Sequence, residues 1–192
     1  MSKSKYSDWL NANYQTAADI TAGTGIFPEI LLSQAIIESA KNGTMPGTIL
    51  AKKHNNYFGI KAGKKYTGRT VNMNTGEYTA GGDAYSIRDN FRAYNTPAES
   101  FADYVKLLQS KRYAKALTAT SPDAQAAALK AAGYSTAPDY AEKIAAMANV
   151  IKKGAAASLQ LISKNPGKSS TVFLLAAAAA AVIALKSKSN GR

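Results

Sequence analysis

The sequence has no cysteine among its 192 residues, which excludes disulfide stapling, thiolate nucleophiles and thiolate-held metal. It has one histidine, His54, so a multi-histidine metal centre is excluded and a Ser-His-Asp triad would have to hang on that side chain. Acid is missing from one end. All 12 Asp and Glu lie at or before Glu142, together with 16 of the 24 Lys and Arg. Residues 1–142 therefore carry a net charge of only +4, and the rest of the formal +12 comes from eight cations after Glu142. Such a tail fits an anionic surface, whether membrane lipid, an acidic wall polymer or nucleic acid. Nucleic acid is the weakest fit, because the cations are scattered among alanines with no aromatic platform between them. The start, MSKSKYSDWLNANYQ, has no apolar stretch behind its lysines, so no signal peptide is expected.

What is present is a chain 46% hydrophobic, enough for one domain with a buried core plus an appendage. A helix opens near Ser7 with Trp9 and Leu10 facing inward. Pro28 suits the first position of a second helix, and Asn42-Gly43 supplies its stop. The apolar residues of this helix cover more than one stripe, so it is expected at the centre of the core. Glu38 lies inside that apolar run. A buried, unpaired carboxylate costs several kcal/mol or stays protonated, so Glu38 is expected either at the rim of the buried face or with a task. It is expected about one turn from the helix C-terminus, where the dipole disfavours ionisation and partial burial pushes the same way.

Residues 61–95 are rich in glycine, and Asn74-Thr75-Gly76 and Gly81-Gly82-Asp83 read as turns. A small antiparallel hairpin is expected there. Thr96-Pro97 with Glu99 forms a capping box ahead of Phe101, Tyr104, Val105 and Leu108. Ser121-Pro122 opens a further helix that stops at Gly133, and another starts near Pro138 and carries Ile144, Met147 and Ile151. The division expected is a catalytic domain over 1–152, a basic linker or helix extension over 153–170, and an apolar, alanine-rich helix with a basic tail over 171–192. Between Lys168 and Lys186 lie 17 uncharged residues, roughly 26 Å of helix against a bilayer core of about 30 Å. Both a lipid-bilayer segment over 171–185 and an alanine-rich packing helix are open at this point.

From pattern alone, Glu38 on a rigid helix and Glu77 on the hairpin form one of many pairs of acids that would suit glycoside hydrolysis, which needs a proton donor and a second carboxylate. HNNYFGIK, containing Asn56, Tyr57 and Phe58, reads as a compact polar turn with a face suited to sugars. Each residue also has a plainer reading: Glu38 as a rim or ion-pair acid, Glu77 as a solvated hairpin acid, Phe58 as core. Asp103 reads equally as a helix-surface acid paired with a lysine, and Tyr113 and Tyr140 as packing aromatics.

The blocks LLSQAIIESAKNG, NNYFGIK, TGEY, FRAY, ESFADYVKLL, KRYAKAL and GYSTAPDYAEKI occur in an order that resembles glycoside hydrolase family 73, over about residues 14–151. The resemblance implies a mainly α, lysozyme-like two-lobed fold with a small β-hairpin wing. It implies cleavage of the β-1,4 bond between N-acetylglucosamine and N-acetylmuramic acid in peptidoglycan glycan strands, as an endo-β-N-acetylglucosaminidase without metal or organic cofactor. It further implies Glu38 as general acid and Glu77 as the second acid, with Asn56, Tyr57, Phe58, Asp103, Tyr113 and Tyr140 as substrate-binding or supporting positions. One departure is Ala137, where the family usually carries an acid. A substrate outside the cytoplasm, with no leader expected, points to a phage protein acting on the bacterial wall from a virion or on release at lysis. Two rivals are a lytic transglycosylase using Glu38 alone and a non-catalytic wall-binding or virion-structural module.

Overall fold

The computed structural model describes residues 5–78 and 84–164. Helix α1 (Lys5–Thr21) is followed by α2 (Pro28–Ser39), the short α3 (Ile49–His54), and strands β1 (Thr70–Tyr78) and β2 (Ala84–Arg92). Then come α4 (Pro97–Leu108), a single 3₁₀ turn (Lys111–Tyr113), α5 (Ala114–Leu117), α6 (Pro122–Ala131) and α7 (Tyr140–Lys164). The described fold is thus mostly helical with one two-stranded antiparallel sheet.

The helix starts follow the caps read from sequence. Thr96 Oγ1 accepts from the backbone N–H of Glu99 at 3.2 Å, and Ser121 Oγ accepts from that of Ala124 at 3.2 Å. The reciprocal arm of the first box is displaced by one residue: the Glu99 carboxylate accepts from the backbone N–H of Asn95, not of Thr96. Either arrangement occupies donors that a helix start leaves open. Trp9, Leu10, Ile144, Met147 and Ile151 are all buried. Helix α2 lies centrally, with Ile30, Leu31, Leu32 and Ala35 fully enclosed between α1, α6 and α7. An aromatic chain threads this core: Phe101 packs edge-on against Trp9, Tyr57 and Phe58, and Phe58 stacks on Tyr104 with ring centres 3.9 Å apart.

Two expectations need correction. Asn74-Thr75-Gly76 is not a turn; it runs through the middle of β1, paired with Arg88, Ile87 and Ser86 of β2. Cross-strand bonds override local turn preference there: Asn72 exchanges side-chain hydrogen bonds with Asn90 and Arg88. Helix α2 ends at Ser39, ahead of the expected stop, because Ala40 is already extended (ψ 138°). Asn42 and Gly43, both at positive φ, instead form the tight Lys41–Thr44 turn that follows. Glu38 is therefore the second-last residue of its helix, nearer the negative dipole end than expected. Of the two alternatives for the stretch after Lys152, its described part is a helix extension, because α7 continues without a break to Lys164. The apolar helix expected over 171–192, and the bilayer segment within it, lie outside the described residues. Among those described, no helix is long and apolar enough to cross a membrane.

Candidate active site

Helix α2 carries two acids with opposite surroundings. Glu29 sits in its first turn, buried, and accepts a hydrogen bond from the Tyr14 hydroxyl at 3.1 Å. Glu38 sits at the other end, where exposed carbonyls disfavour a negative charge. It lines a cleft of about 400 Å³ between the helical body and the hairpin. The body contributes Lys41, Gly47 to Leu50, Asn56 and Gly59; the hairpin contributes Met73, Asn74, Thr75 and Phe91. Glu38 is open to solvent from the cleft, yet the protein behind it strips water from its carboxyl and pushes its pKa above the ordinary glutamate value. Among the described residues it has no ion-pair partner that would reverse the shift.

Behind Glu38 stands a cluster of tyrosines. One turn earlier on α2, Gln34 is completely buried. Its Oε1 accepts from the Tyr104 hydroxyl, and its Nε2 donates to the Tyr140 hydroxyl at 2.7 Å. Tyr134 packs against Tyr104, Tyr113 and Tyr140, with ring centres 5.7 to 6.1 Å apart. Burial pushes the phenols of Tyr104, Tyr134 and Tyr140 upward, and the charge of Glu38 adds to the shift of all three. At neutral pH they are protonated and can donate hydrogen bonds but not act as bases.

The remaining sequence-picked residues fall in several places. Asn56 borders the cleft but is itself buried, its amide spent on the backbone: Nδ2 donates to the carbonyls of Ile60 and Arg92, and Oδ1 accepts from the N–H of Ile60. Tyr57 and Phe58 are in the core. Asp103 lies at the foot of the hairpin and pairs with Arg92, not with a lysine; both its oxygens accept from Nη1, at 2.9 and 2.7 Å, and the Tyr94 hydroxyl donates to it at 2.5 Å. Tyr113 and Tyr140 belong to the tyrosine cluster. Glu77 is backbone-paired with Tyr85 in the sheet, two residues beyond the cleft-lining Thr75. Gln34 and Tyr134 were not picked out from sequence. A polar residue one turn from Glu38 on the same face was the available signal for Gln34. Among the described residues there is no group of three or more metal-ligating side chains.

This geometry can be set beside known proteins. The family model described as glucosaminidase, mannosyl-glycoprotein endo-beta-N-acetylglucosaminidase, matches residues 14–153. The chain belongs to the glucosaminidase family, glycoside hydrolase family 73. The peptidoglycan hydrolase FlgJ of Salmonella typhimurium is 34% identical over 130 residues, covering 67% of this chain and 41% of FlgJ. The exo-glucosaminidase LytG of Bacillus subtilis is 38% identical over 128 residues, covering 64% of this chain and 43% of LytG. The chain thus spans about two fifths of the length of these curated relatives. Among solved structures, the glycoside hydrolase domain of Salmonella typhimurium FlgJ superposes with a TM-score of 0.66 at 29% identity, covering 83% of this chain and 96% of that domain. The glucosaminidase fold of the family is therefore the fold seen here: helices around a buried α2, with a two-stranded sheet at one side of the cleft.

Proposed function

We propose that this glucosaminidase-family chain is a peptidoglycan hydrolase that cleaves the β-1,4 bond from N-acetylglucosamine to N-acetylmuramic acid within glycan strands. One observation carries the reading: a carboxyl with a raised pKa on the wall of a cleft between body and hairpin. A raised pKa keeps Glu38 protonated nearer neutral pH, as a proton donor requires. In the reaction, the Glu38 proton passes to the glycosidic oxygen as its bond to the anomeric carbon breaks. Water adds to that carbon, and its released proton restores the Glu38 carboxyl. Glu77, on the hairpin, supplies the second carboxylate that activates the water or offsets the positive charge developing at the sugar. Tyr134 and Tyr140, both protonated and both within the electrostatic reach of Glu38, are hydrogen-bond donors that can steady the Glu38 carboxylate once it has given up its proton. Glu38 belongs to the core-built helix and Glu77 to the hairpin, so movement of the hairpin sets the distance between the two carboxylates.

The name of FlgJ, a peptidoglycan hydrolase, supports the substrate class, and that of LytG, an exo-glucosaminidase, supports the glucosaminidase chemistry. A phage enzyme for wall entry or lysis is part of this proposal. Mass spectrometry of the sugar ends released from purified sacculi tests the chemistry. New reducing N-acetylglucosamine ends are expected from the wild type. Reducing muramic acid ends would make the protein a muramidase, and 1,6-anhydro ends a transglycosylase. Fractionation of virions and host lysates tests the phage reading, which protein confined to host cytosol would overturn.

A further inference from the structure

We infer that Lys41 is a specificity-determining residue that selects glycan carrying a carboxylate beside the scissile bond. The inference rests on the reading of the cleft as a glycan site and adds to it which glycan is preferred. Lys41 lines the same cleft as Glu38, three residues on, and belongs to the body wall that faces Met73, Asn74 and Thr75 of the hairpin. Its backbone is fixed. Lys41 and Thr44 exchange N–H to carbonyl hydrogen bonds at 3.1 and 3.0 Å across the turn made by Asn42 and Gly43. Gly47 packs so tightly on it that an added Cβ would lie 2.0 Å from the Lys41 nitrogen.

The ammonium has no carboxylate partner among the described residues, unlike Lys61, which pairs with Asp89, or Lys143, which pairs with Asp139. Nor does it serve Glu38, whose upward shift is set by desolvation with no opposing contribution from a nearby cation. Among the described lining residues these two are the only ionisable side chains. With Glu38 protonated, the cleft presents one net positive charge to whatever enters. An N-acetylhexosamine chain offers only hydroxyls and neutral amides, and it leaves that charge unanswered. Carboxylates occur in wall glycan only on its side branches, either on the lactyl ether of muramic acid or on the peptide attached to it. An ammonium at the wall would hold such a branch by a charge-assisted hydrogen bond.

The test compares wild type, Lys41→Met, Lys41→Arg and Lys106→Met, the last an exposed lysine on α4 outside the cleft. Each is assayed on untreated sacculi, on sacculi whose carboxyls are converted to amides, and on amidase-stripped strands whose only carboxylate is the lactyl group. On untreated sacculi, Lys41→Met is expected to lose about tenfold in kcat/KM, with Lys41→Arg and Lys106→Met near wild type. On amidated sacculi the difference between wild type and Lys41→Met should vanish. In intact sacculi the lactyl carboxyl is tied up in its amide to the peptide. A loss on sacculi alone therefore assigns the partner to a peptide carboxylate, and a loss on stripped strands alone assigns it to the lactyl carboxylate. A loss on both shows that Lys41 holds either one. The inference is overturned if Lys41→Met matches wild type on both carboxylate-bearing substrates, or if its loss persists after amidation. Sedimentation with sacculi in a Glu38→Gln background, with and without Lys41→Met, reads the same preference as binding. Should wild type release no sugar ends while that binding preference holds, the hydrolase reading fails and the role of Lys41 stands.

Discussion

The helical body and the hairpin wing are held by different forces. The body closes around an apolar cluster drawn from its helices, with Leu10, Ile30, Leu31, Leu32 and Phe101 wholly buried. Among the described residues, no side chain of β1 or β2 belongs to that cluster. The wing is instead held by its own cross-strand ladder and by polar bonds at its foot: Arg92 to Asp103, the Arg92 N–H to the Ile60 carbonyl at 3.0 Å, and the Ala62 N–H to the Asn90 carbonyl at 2.7 Å. Among the described strand side chains Phe91 is buried, while Tyr85 and Ile87 are 46% and 36% exposed. A two-stranded hairpin has little stability of its own. The contrast teaches that this fold carries Glu38 on a helix packed into the core and Glu77 on a hairpin held by its own ladder and a polar foot.

That contrast can be broken or sharpened by substitution. Phe101→Ala should cost about 3–5 kcal/mol in urea unfolding, since the ring touches Trp9, Tyr57 and Phe58; a loss under about 1 kcal/mol would mean that the body is not core-held. Gln34→Leu should cost about 1–3 kcal/mol, because the Tyr104 and Tyr140 hydroxyls lose a buried partner. It should also lower kcat more than it raises KM, whereas equal effects would detach the tyrosines from the site. Asp103→Asn is expected to cost about 1 kcal/mol and to speed amide exchange in β2 while leaving α2 and α7 protected. Uniform acceleration would show that wing and body unfold together. Lys61→Met should change stability by less than about 0.5 kcal/mol, because its pair with Asp89 is exposed.

Sequence and structure part company along the same line. Helix starts in the body were legible because Ser121-Pro122, Thr96-Pro97 and Pro28 act locally, through caps and fixed φ. Strand β1 was misread at Asn74-Thr75-Gly76 because its conformation is set by pairing with Arg88, Ile87 and Ser86 of β2, which lie outside any local turn window. Glu38 stood out as an acid in an apolar run, and its place on the cleft wall agrees with that signal. Tyr134 did not, because nothing local separates a tyrosine that faces a carboxylate from one that packs a helix. Asn56 and Phe58 sat in a motif that reads as a polar surface, yet the Asn56 amide is consumed by the backbone it ties to the foot of the wing. Residues of polar type mark a site only when their hydrogen bonds are not already taken inside the fold.

The raised pKa of Glu38 also has a thermodynamic sign. An acid whose folded-state pKa lies above its unfolded value leaves the folded protein binding more protons between the two, so stability falls as pH rises through that window. Glu38→Gln should therefore melt slightly higher than wild type at neutral pH and equal to it below the ordinary glutamate range.

The most direct measurement is the pH profile of kcat/KM on purified sacculi for wild type beside the rate of Glu38→Gln. The expected result is an alkaline limb in the wild type above the ordinary glutamate pKa, and a loss of about 10²- to 10⁴-fold in the folded amide variant. Wall digestion by folded Glu38→Gln at the wild-type rate would contradict the assignment of the proton to that side chain.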